Sequence, residues 1–214
     1  KNLWLYEKVC ELSDDEIVVC TDSFDVIYLT NVDEIKQKFL KMNAPIVYSG
    51  SCGLTHQDPH FLEYYKKMGK GKHYKFLNSG SMIGYAKNIK EILDVILNPK
   101  HQLSQSSFMP VGGEINDQTW VGKYIAENFD KVKLDYDCEI FWTDQNFNNP
   151  PPINKVTHPK YLEIGINELK QKILKNGRMY NTITDNYPCI FHCPYVRHTH
   201  KLISTAWDYI KTTK

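Results

Sequence analysis

The order of apolar segments predicts an α/β domain built on a largely parallel sheet flanked by helices. Short apolar runs at 17–21, 45–49 and 76–85 alternate with helically spaced stretches at 32–42, 88–97 and 116–125. The run Ile17-Val18-Val19-Cys20-Thr21 ends abruptly in Asp22 and Asp25, three positions apart. A buried strand that delivers acids to its carboxyl end is how such sheets present a cation to a phosphorylated ligand. A length of 214 residues with 42% hydrophobic content suits one domain, 1–214, with a substantial core.

Each element has its own warrant. Leu5, Tyr6, Val9 and Cys10 keep helical spacing over 1–12, and Ser13-Asp14-Asp15 stops it. After the first strand and its acids, Asn31 can cap a helix over 32–42 with Val32, Ile35 and Phe39 on one face. Pro45-Ile46-Val47-Tyr48-Ser49 reads as a strand, 50–59 as a loop, and Phe61, Leu62, Tyr64 and Tyr65 as a short helix. Gly69-Lys70-Gly71-Lys72 is a flexible basic link. The strand at 76–85 is interrupted by small residues, and Asn88 opens a helix carrying Ile89, Ile92, Leu93 and Ile96. Asn98-Pro99 closes it. A polar connection through Gly112-Gly113 leads to a helix from about 116 with Trp120, Val121, Tyr124 and Ile125 inward. Beyond it lie short strands and loops, including Pro150-Pro151-Pro152, then a last strand, Ile190-Phe191, ending at His192. Leu202, Ile203, Ala206, Trp207 and Ile210 trace a closing amphipathic helix.

Composition excludes some functions. Lys+Arg 26 against Asp+Glu 25 leaves a net charge of +1, too balanced for a nucleic-acid binder working through a broad basic face. No apolar run reaches membrane-spanning length, and the amino terminus lacks a signal-peptide pattern. The chain opens without Met, already in a helical pattern. A doubly wound domain normally begins with a strand, so its first strand is expected upstream of Lys1. The six cysteines (Cys10, Cys20, Cys52, Cys138, Cys189, Cys193) have no small-scaffold spacing. Cys189 and Cys193, near His192, His198 and His200, lack the two-residue gap of a zinc pair and are bracketed by Pro188 and Pro194. Neither compartment nor association state is readable from these counts.

The acids admit several readings. A hard cation, Mg²⁺ or Mn²⁺, takes oxygen ligands and can neutralise a diphosphate leaving group. The plain alternative is a strand and turn with two solvated carboxylates. A phosphatase of the haloacid dehalogenase type also starts from acids at a strand end, but it needs them two apart.

Taken in order, the segments resemble the glycosyltransferase domain of the procollagen lysyl hydroxylase/glycosyltransferase family. That family carries D-x-[FY]-D-V, matched by Asp22-Ser23-Phe24-Asp25-Val26, and F-L-N-S-G-x-x-[IL]-G-[FY]-A, matched by the eleven positions 76–86. Its D-D-Q is met in part by Asn116-Asp117-Gln118, and its P-I-x-x-H-x-N-G-P loosely by 188–192. The resemblance implies a GT-A-type, Rossmann-like fold, a Mn²⁺ ion held by Asp22, Asp25 and His192, and a UDP-sugar donor, UDP-glucose or UDP-galactose. It implies that Asn78, Ser79 and Gly80 line the donor sugar and that Asp117, with Gln118 beside it, binds sugar or acceptor. An imidazole beside carboxylates also favours Mn²⁺ over Mg²⁺.

Lys201 or Arg197 could add a cation to the diphosphate, and Glu114 and Asp117 are candidates for activating an acceptor hydroxyl. The implied acceptor is hydroxylysine or galactosyl-hydroxylysine of a collagen-like polypeptide, and the implied compartment the endoplasmic reticulum lumen. The departures are Asn116 for an acid, Cys193-Pro194-Tyr195 for Asn-Gly-Pro, and no tryptophan in the 50–59 loop. They leave donor and acceptor preference open, as are inversion and retention. The remaining alternative is a module that binds UDP-sugar or a partner protein without turnover.

Overall fold

The protein is described from a computed structural model covering residues 2–53, 59–97, 117–143 and 178–194, with residue 208. It is an α/β domain. In chain order the elements are α1 (Asn2–Cys10), β1 (Ile17–Thr21), β2 (Val26–Tyr28), α2 (Val32–Met42), β3 (Ile46–Ser51), α3 (Pro59–Met68) and β4 (Phe76–Tyr85). Then follow α4 (Ala86–Leu97), α5 (Asp117–Glu127), β5 (Val132–Asp135), β6 (Phe141–Thr143) and β7 (Ile190–His192). Of the expected closing helix at 202–210 only residue 208 is described, and Gly112-Gly113, Glu114, the proline run, Arg197, His198, His200 and Lys201 lie outside the described residues.

The sheet has seven strands in the order β1-β4-β3-β6-β7-β2, with β5 beside the first half of β3. β3 pairs in parallel with β5 and β6, and β6 with β7, while β4 is antiparallel to both β1 and β3 and β2 is antiparallel to β7. It follows that β1, β3, β5, β6 and β7 all run one way. Their carboxyl ends share one edge of the domain, where ligands collect in open α/β sheets.

Alternation along the strands builds two cores. On one face Ile46 and Tyr48 of β3 and Leu77 and Met82 of β4 pack against Val9 of α1, Tyr65 of α3, Ile89, Ile92 and Ile96 of α4, and Val121 and Ile125 of α5. On the other, Val47, Ile83, Phe141 and Ile190 pack against Ile35 and Phe39 of α2. Asn31 caps α2 as the sequence indicates, its Oδ1 accepting the Glu34 N–H at 2.9 Å.

The start of α4 differs from expectation by two residues. The Ala86 and Lys87 N–H groups donate to Glu16 O and Asp14 O at 2.8 and 3.2 Å. The 13–16 turn thus supplies the carbonyls that a capping side chain at Asn88 would have replaced.

The sheet cannot be flat at its carboxyl edge. Five strand-to-strand steps of about 4.8 Å would hold β1 and β2 roughly 24 Å apart. Five residues of chain, from Thr21 to Val26, reach about 18 Å at most. The strain is resolved in β4. Tyr48 pairs with Met82 but Ser49 pairs with Asn78, so residues 79–81 bulge away from β3. The sheet curls there, and the acids of the 22–25 connection come round to meet β7.

Candidate metal centre

Three side chains converge at that curl. Asp22 leaves β1 with its N–H donating to Gly80 O at 2.7 Å. Asp25 is held by its own carbonyl, which accepts the Cys193 N–H at 2.9 Å, one position beyond the Val26–His192 register pair. His192 ends β7 and is 1% exposed. Its Nε2 lies 3.3 Å from Asp25 Oδ2 and 3.7 Å from Asp22 Oδ2. One ligand atom from each of the three falls within 4.8 Å of the others, and no second group of this kind occurs among the described residues.

The donor set fits a divalent cation. Two carboxylate oxygens and an imidazole nitrogen suit Mn²⁺. Buried His192 Nε2 has no hydrogen-bond partner, although two carboxylates stand beside it. A buried polar atom so placed calls for an explanation, and a shared cation supplies one. Space points the same way. A Cβ built on Gly80 would collide with His192 Cε1 and lie 2.5 Å from Asp22 Oδ2 and 2.9 Å from Asn78 Oδ1. Glycine at position 80 keeps the interior of the centre open.

The bulge that carries Gly80 is clamped from α5. Gln118 Oε1 accepts the Ser79 N–H at 3.1 Å, and its Nε2 donates to Leu77 O at 2.8 Å. The Ser79 hydroxyl reaches Asp117 Oδ1 at 3.4 Å and Gln118 Oε1 at 3.3 Å. Ser79, Gly80 and Asp117 border a small hollow that Leu5, Cys20 and Tyr48 line from the apolar side. Burial pushes the Tyr48 phenol far above its ordinary range, so it stays neutral. Asn78 is 4% exposed, and its Oδ1 faces His192 Nδ1 at 3.1 Å. The structure therefore brings Asp22, Asp25, His192, Asn78, Ser79, Gly80, Asp117 and Gln118 into one neighbourhood. Glu114 and Lys201 lie outside the described residues.

Two features were not singled out in the sequence. Phe24, between the two aspartates, is 89% exposed, an aromatic ring standing in solvent at the rim of the centre. Ser49 Oγ and Thr143 Oγ1 are 2.6 Å apart and fully buried, joining β3 to β6 beside the curl. Phe24 carried a signal, its place inside the acid motif, whereas the Ser49–Thr143 contact depends on strand order and had none. Cys189 and Cys193 are buried, and burial pushes the Cys189 thiol up to about 11.

Fold and centre together define a GT-A-like domain: a Rossmann-like sheet with acids and a histidine at the carboxyl ends of its strands. The sequence matches the PLOD GT domain family over residues 2–211, nearly its full length, and the chain belongs to that family of glycosyltransferase domains from collagen-modifying enzymes. It is 26% identical over 183 residues to uncharacterized protein R699 of Acanthamoeba polyphaga mimivirus, covering 85% of this chain and 32% of that protein. To the procollagen-lysine,2-oxoglutarate 5-dioxygenase of Drosophila melanogaster it is 38% identical over 126 residues, 59% of this chain and 15% of the other. To the multifunctional procollagen lysine hydroxylase and glycosyltransferase LH3 of Homo sapiens it is 32% identical over 92 residues, 42% and 12% respectively. The chain spans a third or less of the length of these relatives.

Proposed function

We propose that this domain transfers a hexose from a UDP-sugar, UDP-glucose or UDP-galactose, to a hydroxyl of a collagen-like polypeptide. The acceptor is hydroxylysine or galactosyl-hydroxylysine, and the compartment the endoplasmic reticulum lumen. The observation that carries the reading is the convergence of Asp22, Asp25 and the unpartnered Nε2 of His192 at the carboxyl edge of the sheet.

These three residues would hold Mn²⁺. When bound, the ion supplies positive charge against the diphosphate that leaves with UDP. The protein's own groups do the rest. Ser79 and Asp117, side by side at the β4 bulge, receive hydroxyls of the donor sugar. The Asp117 carboxylate, or that of Glu114, takes the proton of the attacking acceptor hydroxyl. Gln118 holds Ser79 in place through the two β4 backbone groups that it engages. Phe24 offers a stacking surface at the rim, and Lys201 adds a cation toward the diphosphate.

The test is a transfer assay with each donor, Mn²⁺, and peptides bearing hydroxylysine or galactosyl-hydroxylysine, with products read by mass spectrometry. One donor–acceptor pair should give a mass gain of one hexose that depends on Mn²⁺. If the protein binds Mn²⁺ and UDP but no pair yields product, the non-catalytic module is the correct reading.

A further inference from the structure

We infer that Asn78 is a positioning residue: its amide oxygen fixes the tautomer of His192 so that the bare Nε2 faces Asp22 and Asp25. The inference rests on the metal-centre reading above and adds a role that neither the acid motif nor the family match assigns.

The orientation of the amide is set by an unambiguous donor. The atom of Asn78 nearest Gly80 N lies 3.0 Å away and receives its N–H. A backbone N–H can only donate, so that atom is the oxygen, and the usual exchange of amide oxygen and nitrogen is ruled out. The same oxygen stands 3.1 Å from His192 Nδ1. An amide oxygen cannot donate, so Nδ1 must carry hydrogen, since the opposite tautomer would set two lone pairs face to face. In the neutral ring Nε2 is then the unprotonated nitrogen. It is also the nitrogen that lacks a hydrogen-bond partner and lies 3.3 and 3.7 Å from the two carboxylates.

Both residues are almost wholly buried, Asn78 at 4% and His192 at 1% exposure, so water offers little competition for the Nδ1 hydrogen. Metal-binding histidines are oriented through their second nitrogen in this way. Here a carboxamide does it from the position just before the β4 bulge, and the Gly80 N–H holds the carboxamide in turn.

The consequence is a division of labour within Asn78-Ser79-Gly80. Asn78 serves the imidazole, Gly80 leaves room for it, and Ser79 borders the hollow. The bulge is thus as much a support for the cation as a lining for a sugar.

Nitrogen-15 NMR of the metal-free protein with labelled histidine reads the tautomer directly, without sugar transfer. Wherever the ring is neutral, wild-type His192 should show a pyrrole-type Nδ1 and a pyridine-type Nε2, assigned by their loss in His192→Gln. A neutral His192 that carries its proton on Nε2 overturns the inference.

Mn²⁺ titration followed by electron paramagnetic resonance gives the second measure. Asn78→Leu, similar in size and without an acceptor, should bind Mn²⁺ about 10- to 100-fold more weakly and lose the fixed tautomer. Asn78→Asp, which keeps an acceptor oxygen, should bind Mn²⁺ at least as tightly as wild type. A folded Asn78→Leu with wild-type affinity overturns the inference. Should that variant fail to fold, the wild-type tautomer and Asn78→Asp decide it. Wild type that binds Mn²⁺ with the expected tautomer yet transfers no sugar would sink the proposed reaction and leave the role of Asn78 standing.

Discussion

Replacing Gly80 by alanine adds one methyl group against His192 and Asp22, two of the three candidate ligands. The new Cβ would sit 2.5 Å from Asp22 Oδ2, where ordinary contact begins at 3.4 Å, so one or the other must move by about 0.9 Å. Asn78 Oδ1, at 2.9 Å, and the imidazole edge block escape on the other sides. Metal–ligand distances tolerate only about 0.2 Å. The displacement therefore exceeds the tolerance several-fold, and Mn²⁺ affinity should fall at least about 100-fold, past the usual loss from a disturbed supporting residue. Backbone strain adds nothing, because Gly80 does not have a left-handed φ. Overpacking alone should cost about 1–3 kcal/mol of stability.

A neighbour on the same strand separates the two effects. A Cβ on Gly84 would meet Ile46 Cγ1 at 2.8 Å and Pro45 O at 3.0 Å, away from the acids. Gly84→Ala should destabilise by a similar amount while binding Mn²⁺ as wild type does. Titration by electron paramagnetic resonance and thermal unfolding of both variants make the comparison. Wild-type Mn²⁺ affinity in folded Gly80→Ala would refute the argument, since a centre that accepts a methyl group there cannot be the one described.

Asp25→Ala should lose Mn²⁺ binding and transfer together while circular dichroism stays unchanged, because a half-buried acid of the 22–25 connection leaves both cores intact. Gln118→Leu should cost about 1–3 kcal/mol in denaturant unfolding, the penalty for leaving the Ser79 N–H and Leu77 O unpaired, and should weaken donor binding more than Mn²⁺ binding. Phe24→Ala should weaken UDP binding by about 1–3 kcal/mol by calorimetry if the exposed ring stacks on the base, with no change in melting temperature. Burial pushes Asp135 up to about 6 despite the N–H groups of Glu139, Ile140 and Phe141 on its carboxylate. Its folded pKa exceeds the unfolded one, so the unfolded chain gives up the proton first and stability declines from about pH 4 to about pH 6. Urea midpoints across that window should show the decline, and Asp135→Asn should flatten it.

Much of this was legible in the residues. The helix faces at Ile35 and Phe39, and at Ile89, Ile92 and Ile96, point where a period of 3.6 puts them. Asp22, Asp25 and His192 were visible as acids and an imidazole at apolar strand ends. The strand partners were not. β2 and β7 have three residues each, too few for any alternation to declare itself, and β2 hides between an acid motif and a helix cap. Periodicity also describes one element at a time, so the bulge at 79–81, defined by how β4 leaves β3, had no local signature beyond its small residues.

That bulge connects the two halves of the problem. Asp25 already stands beside His192 through the β2–β7 pairing, but Asp22, one residue past β1, is four strand steps from β7 in sheet order, and in a flat sheet no single ion could touch both Asp22 and His192. Small residues at 79–81 let the sheet fold over at that end, and the 22–25 connection is short enough to hold it so. The Ser79-Gly80-Ser81 sequence is therefore a condition for the acids to be a site at all, besides lining whatever binds there. A longer link makes the point testable: two glycines inserted after Ser23 would relax the tether while leaving every ligand in place. If tether and bulge create the centre, that variant should fold normally and bind Mn²⁺ weakly.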